Sequence, residues 1–220
     1  MRTLILLVFS LICGNVIAQQ EISPAAYGMD TSTVMPKGLK TGDSAPNFTA
    51  FTAKGDTFQL SDELKNGPVV ITFYRGQWCP ICNRYLSNLS DSLQYILETG
   101  AKVIALSPQR PSAMEQTQQK SKTEVLLLED RKGEIMEAYD VDFRVSEAYK
   151  TKVDNFFAVD LANAHLDSEA TLPVPATFVV NQNGEIIFHH FDYNYSNRAS
   201  ALEIGNALGV VWPKEKSSKK

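Results

Sequence analysis

The sequence predicts an α/β domain: a mixed central sheet flanked by helices on both faces, in three layers. Three observations lead there. Apolar, β-branched and aromatic runs of strand length, "GPVVITFYR" (67–75), "AKVIALS" (101–107) and "EVLLLED" (124–130), alternate with segments of helical period. Such a β-α-β-α-β series builds parallel strands whose crossover helices cover the sheet. The chain then turns back through "ATFVV" (176–180), an Asn-Gln-Asn-Gly turn at 181–184 and "EIIFHH" (185–190), a hairpin that adds antiparallel strands.

The elements follow in order. Residues 1–18 open with one arginine and an apolar run from Leu4 to Cys13, then Val16-Ile17-Ala18, the pattern of an export signal cleaved near Ala18. The run is shorter than the roughly 20 residues that span a bilayer, so no retained membrane span is expected. Ile12 stands where a lipidated cysteine would need a small residue, which argues against a lipoprotein. A periplasmic or secreted location follows. Residues 19–40 lack a sustained apolar period and read as a linker or extended arm; the domain runs from 41 to 212, and 213–220 form a basic tail. Inside the domain, "NFTAFTA" (47–53) reads as a strand and 67–75 as a buried central one. Leu86, Leu89, Leu93 and Ile96 recur at helical spacing and predict one helix from Pro80 to Thr99, with Gly100 as its stop. Further helices are expected at 112–121, at Glu134–Tyr139 and near Arg198–Leu208, and the Phe-, Tyr- and Ala-rich stretch 143–170 reads as irregular.

Composition narrows the function. With 44% hydrophobic residues the chain can bury a core, and a net charge of −4 lacks the basic excess of a nucleic-acid binder. Removal of the leader would take Cys13 with it and leave Cys79 and Cys82 as the whole cysteine inventory. In an oxidising compartment such a chain has no disulfide framework, only one close pair.

That pair stands in "RGQWCPICNRYLSNL" (75–89). Pro80 suits a first helical position, so Cys79 lies at the helix N-terminus, where free N–H groups and the macrodipole favour an anion; cysteines so placed have pKa values of roughly 3.5 to 7.5. Cys82 shares the sheet-facing stripe with Leu86 and Leu89, so the two sulfurs are expected to differ in exposure. Cys79 is the expected nucleophile and Cys82 the resolving thiol of a dithiol–disulfide cycle. Arg75 adds positive charge if its loop folds back, and Trp78 flanks the nucleophile as a surface for a protein disulfide or dithiol partner. A purely structural bridge here would close too short a loop to remove much entropy. A zinc site would need a second pair of ligands, and of His165, His189 and His190 the last two, adjacent on a strand, face opposite sides. No cofactor or resident metal is expected.

These motifs resemble the thioredoxin superfamily and, within it, its peroxiredoxin-like AhpC/TSA branch: "TGDSAPNF" (41–48), "VITFYRGQWCPIC" (70–82) and "LPVPATFVVNQNGEI" (172–186). The resemblance implies a thioredoxin fold, a redox-active Cys79–Cys82 disulfide, and a Pro175 that is cis and faces the cysteines, shaping the substrate groove. Laid on that branch, Arg75 replaces a proline, Cys79 a Thr or Ser, and Pro175 an arginine; Phe73 stands where thioredoxin carries a buried acid. Two alternatives stay open: a hydroperoxide reductase with Cys82 peroxidatic, and a copper-binding protein using the cysteines with His189 or His190.

Overall fold

The computed structural model describes residues 23–161 and 170–213; the predicted leader, His165 and the tail beyond 213 lie outside the described residues. Nine strands are described: β1 Thr49–Phe51, β2 Thr57–Gln59, β3 Val69–Phe73, β4 Lys102–Ser107, β5 Leu126–Glu129, β6 Asp142–Arg144, β7 Thr171–Pro173, β8 Thr177–Val180 and β9 Ile186–His190. The helices are α1 Leu60–Glu63, α2 Pro80–Asp91, α3 Leu93–Leu97, α4 Pro111–Ser121, α5 Glu134–Ala138, α6 Glu147–Phe157 and α7 Ala201–Ala207. A seven-stranded sheet runs β2-β1-β5-β4-β3-β8-β9, and β6 pairs with β7 beside it.

β3, β4 and β5 are parallel, while β1 and β8 join antiparallel on either side, which is the expected mixed sheet. All five residues of β3 are buried, as a central strand covered on both faces requires. Its alternate side chains divide the core. Val70 faces Cys82, Leu86, Leu89 and Ile96, whereas Val69, Ile71 and Phe73 pack with Ile104, Leu106, Tyr139 and Phe178 on the other face.

Three expectations are corrected. The single helix of 80–99 is two, parted at Ser92 (φ −110°, ψ 2°). Ser90 Oγ–H and Thr123 Oγ1–H both donate to the Leu86 carbonyl, so side chains compete for the backbone just before the break. The stretch called irregular contains α6, capped by Ser146, whose side chain accepts the Tyr149 N–H. Residues 23–40, expected as a linker or arm, lie against the domain: Met29 is 2% exposed and bridges Val145, and the Gly38 N–H donates to the Asp140 carbonyl.

Among the described residues no helix is long and apolar enough to cross a membrane.

Candidate active site

The site is assembled where β3 ends and α2 begins. Phe73 N–H donates to the Ala176 carbonyl and Tyr74 N–H to the Leu106 carbonyl, anchoring the strand end between β8 and β4. Gly76 then turns the chain at φ +147°, and a Cβ there would lie 2.6 Å from Trp78 Nε1, so only glycine fits. The Cys79 N–H closes the turn on the Gly76 carbonyl, and Cys79 becomes the extended N-cap of α2 with Pro80 behind it.

Cys79 and Cys82 are joined as a disulfide. The Cys79 Sγ accepts the Cys82 N–H at 3.3 Å, the free-donor geometry of a helix start, and Arg75 Nη2–H at 3.7 Å. The expected contrast in exposure is not found: Cys79 is 1% and Cys82 0% exposed. What separates them is direction. Cys79 lines a groove of about 210 Å³, whereas Cys82 is not among its lining residues and faces the core with Leu86.

Arg75 is 3% exposed because its guanidinium is stacked rather than solvated. It lies 3.6 Å from the centre of the Tyr195 ring and within 5.4 Å of that of Trp78, and Nη1–H donates to the Tyr149 hydroxyl at 2.8 Å. Burial pushes the Tyr149 phenol up and Arg75 partly offsets it. Trp78 forms a wall of the groove with its ring 6.2 Å from that of Phe157, and Pro80 sits exposed at the mouth. The other wall is α6, through Tyr149, Lys152 and Phe157. Among the described residues no carboxylate lines this groove.

The second sulfur also meets a guanidinium. Arg198, just ahead of α7, donates from Nη2 to the Cys82 Sγ at 3.2 Å and from Nε to the Tyr195 carbonyl at 2.8 Å, with its charge 5.0 Å from the centre of the Tyr85 ring. Its Nη1 is buried with no partner among the described residues, and burial lowers its pKa to about 9. Sequence reading missed Arg198, Tyr149 and Tyr195: each is far along the chain from the cysteines, and none carries a local motif.

The remaining expected site residue is Pro175. It is buried, but among the described residues no peptide bond is cis, and Pro175 is not among the residues lining the groove, so both features implied by resemblance are corrected. Its neighbour Val174 donates to the Val141 carbonyl and Ala176 accepts from Phe73, so the segment supports the strand end behind the cysteines. Phe73, in the position of thioredoxin's acid, points into the opposite core layer. His189 Nδ1 accepts the Thr41 N–H and His190 Nε2 meets the Asn197 carbonyl; among the described residues no three His, Cys, Asp or Glu are grouped to hold a metal.

The AhpC/TSA family model matches residues 41–189. The chain belongs to the AhpC/TSA family. It is 26% identical over 203 residues to a putative chloroplastic peroxiredoxin Q of Oryza sativa subsp. indica, covering 90% of this chain and 80% of that protein. It is 24% identical over 151 residues to the thiol-disulfide oxidoreductase ResA of Bacillus subtilis, covering 69% and 67%. Among solved structures, the peroxidoxin BcpB of Mycobacterium tuberculosis superposes with a TM-score of 0.59 at 20% identity, over 78% of this chain and 95% of that one. Reduced Prx3 of Vibrio vulnificus gives 0.61 at 14% identity, over 77% and 99%. The fold is the thioredoxin fold. The AhpC/TSA chain is an oxidoreductase acting on thiols, with Cys79 lining an apolar, cation-lined groove and bonded to Cys82 behind it.

Proposed function

We propose that the chain is an exported thiol–disulfide oxidoreductase that uses the Cys79–Cys82 pair, with Cys79 as nucleophile and Cys82 as resolving thiol. The observation that carries this reading is that Cys79 is the sulfur facing the groove, at the start of α2, with the Cys82 N–H and Arg75 both directed at it. Amide dipoles and a guanidinium each favour thiolate over thiol, so Cys79 is ionised when reduced and electrophilic when oxidised. The groove walls, Trp78 and Phe157 with Tyr149 and Lys152 beside them, suit a protein segment carrying an apolar side chain. Export is proposed from the leader-like residues 1–18 and from a working cysteine inventory confined to one pair.

A second reading is peroxide reduction by Cys82. It is favoured by the match to peroxiredoxin Q and by the Arg198 contact at 3.2 Å, and opposed by the burial of Cys82 away from the groove. Single-cysteine variants separate the two. Loss of insulin reduction in Cys79→Ser without peroxide consumption by that variant supports the oxidoreductase; retained peroxide consumption by Cys79→Ser would overturn the assignment of the nucleophile.

A further inference from the structure

We propose that Arg198 is the counter-charge of Cys82 in the reduced chain, and that Arg75 and Arg198 together make the chain a donor of disulfides. The inference rests on the dithiol reading above and adds the direction of electron flow.

Each sulfur of the pair has its own guanidinium, Arg75 Nη2 at 3.7 Å from Cys79 and Arg198 Nη2 at 3.2 Å from Cys82. Arg75 is buried and Arg198 half-buried with its Nη1 shut from water, and among the described residues neither forms an ion pair with a carboxylate. Among the described residues the titratable or charged groups that bear on Arg198 are Cys82, Tyr85 and Arg75, and no carboxylate is among them. Its buried and unpartnered Nη1 marks the same deficit. A buried cation without an anion is costly, and a new anion beside it relieves that cost. Reduction creates such anions at both sulfurs. The dithiol is therefore the form this pocket favours, and a disulfide whose reduced form is favoured is a strong oxidant.

A partner thiol loses its proton to water and its thiolate attacks the Cys79 Sγ from the groove. The Cys79–Cys82 bond breaks, and its electron pair stays on Cys82 as a thiolate facing Arg198. The partner's second thiol, deprotonated in turn, attacks the partner sulfur of the mixed disulfide; that bond breaks and Cys79 leaves as a thiolate beside Arg75. Two electrons have moved to the chain, and the partner holds the disulfide. A better-stabilised leaving thiolate leaves faster, so Arg198 acts on rate as well as equilibrium.

The test is equilibration of the purified chain with glutathione, native against Arg198→Gln and Arg198→Lys, together with a thiolate absorbance titration of Cys82 in the Cys79→Ser chain. The native pair is expected to lie at least about a hundredfold further toward the dithiol than thioredoxin, about 60 mV for two electrons. Arg198→Gln is expected to lose at least about tenfold of that, about 30 mV, and Arg198→Lys to retain most of it. In the Cys79→Ser chain Cys82 is expected to titrate well below the ordinary cysteine value of about 8.5, and to return toward it when Arg198→Gln is added. A native potential at or below that of thioredoxin, or a Gln variant within twofold of native, overturns the inference. If the Gln variant does not fold, the Cys79→Ser chain decides: Cys82 titrating at or above about 8.5 overturns it. Failure of the dithiol reading would show instead as a native pair that does not exchange with glutathione at all.

Discussion

The guanidinium of Arg75 lies 3.6 Å from the centre of the Tyr195 ring, while the carbonyl of the same tyrosine accepts Arg198 Nε–H at 2.8 Å. One residue thus positions both cations that address the sulfur pair. Tyr195 is held in turn by an edge contact with Tyr27, 5.9 Å between ring centres, so residues 23–40 support the site from behind.

Replacing Tyr195 by alanine should loosen Arg75 without touching either sulfur. A stacked cation contributes about 0.5–2 kcal/mol, and a loss of that order is expected in denaturant unfolding. The informative readout is the Cys79 thiolate titration in a Cys82→Ser chain, which should move upward in Tyr195→Ala and stay in place in Tyr195→Phe, where the ring is kept.

Gly76→Ala is expected to cost about 1–3 kcal/mol or more, because it places a side chain at φ +147° and drives a Cβ to 2.6 Å from Trp78 Nε1. Urea midpoints would measure it. A midpoint equal to native would show that the loop has another conformation.

Phe157→Ser removes part of the groove wall but contacts neither sulfur, and the native ring is 43% exposed. We expect kcat/KM for a protein substrate to fall several-fold while the glutathione equilibrium is unmoved, since only docking has changed. An equal change in both would place Phe157 in the electrostatics of the pair instead.

The approach to α7 carries a pH-dependent stabiliser. Ser200 and Glu203 form a capping box, and hydrogen bonds from the Ser200 N–H and Oγ–H hold the Glu203 carboxyl below its ordinary value. A lowered acid pKa gives stability that is present above the unfolded value, near 4.5, and is lost as pH falls through the folded one. Glu203→Gln should therefore flatten the acid limb of the stability profile, and Ser200→Ala should cost about 0.5–2 kcal/mol at neutral pH. Because Arg198 is two residues away, fraying in Ser200→Ala should also raise the Cys82 thiolate titration.

Much of the fold was legible because its signals are local. β3, β4 and β5 are dominated by apolar residues, and Cys79-Pro80 announces a helix start whose cap and first position the structure reproduces. α6 was not legible, because Val153 is its one buried residue and a helix with so narrow an apolar stripe shows no period. The break at Ser92 was hidden for another reason: Thr123, which donates to the Leu86 carbonyl, comes from a distant loop. The site divided the same way. The cysteines and Arg75 share one short stretch of sequence, whereas Arg198 reaches Cys82 across 116 positions, a meeting that only the completed sheet brings about.

The contact between Arg198 and Cys82 has a thermal consequence. Folding and reduction form a closed cycle of four states, so any advantage the folded pocket gives the dithiol must be returned by the dithiol to the folded chain. Most proteins with an internal bridge melt lower once it is cut. Here the chain with its bridge opened should outlast the bridged one on heating, so the melting temperature should rise as reductant is added.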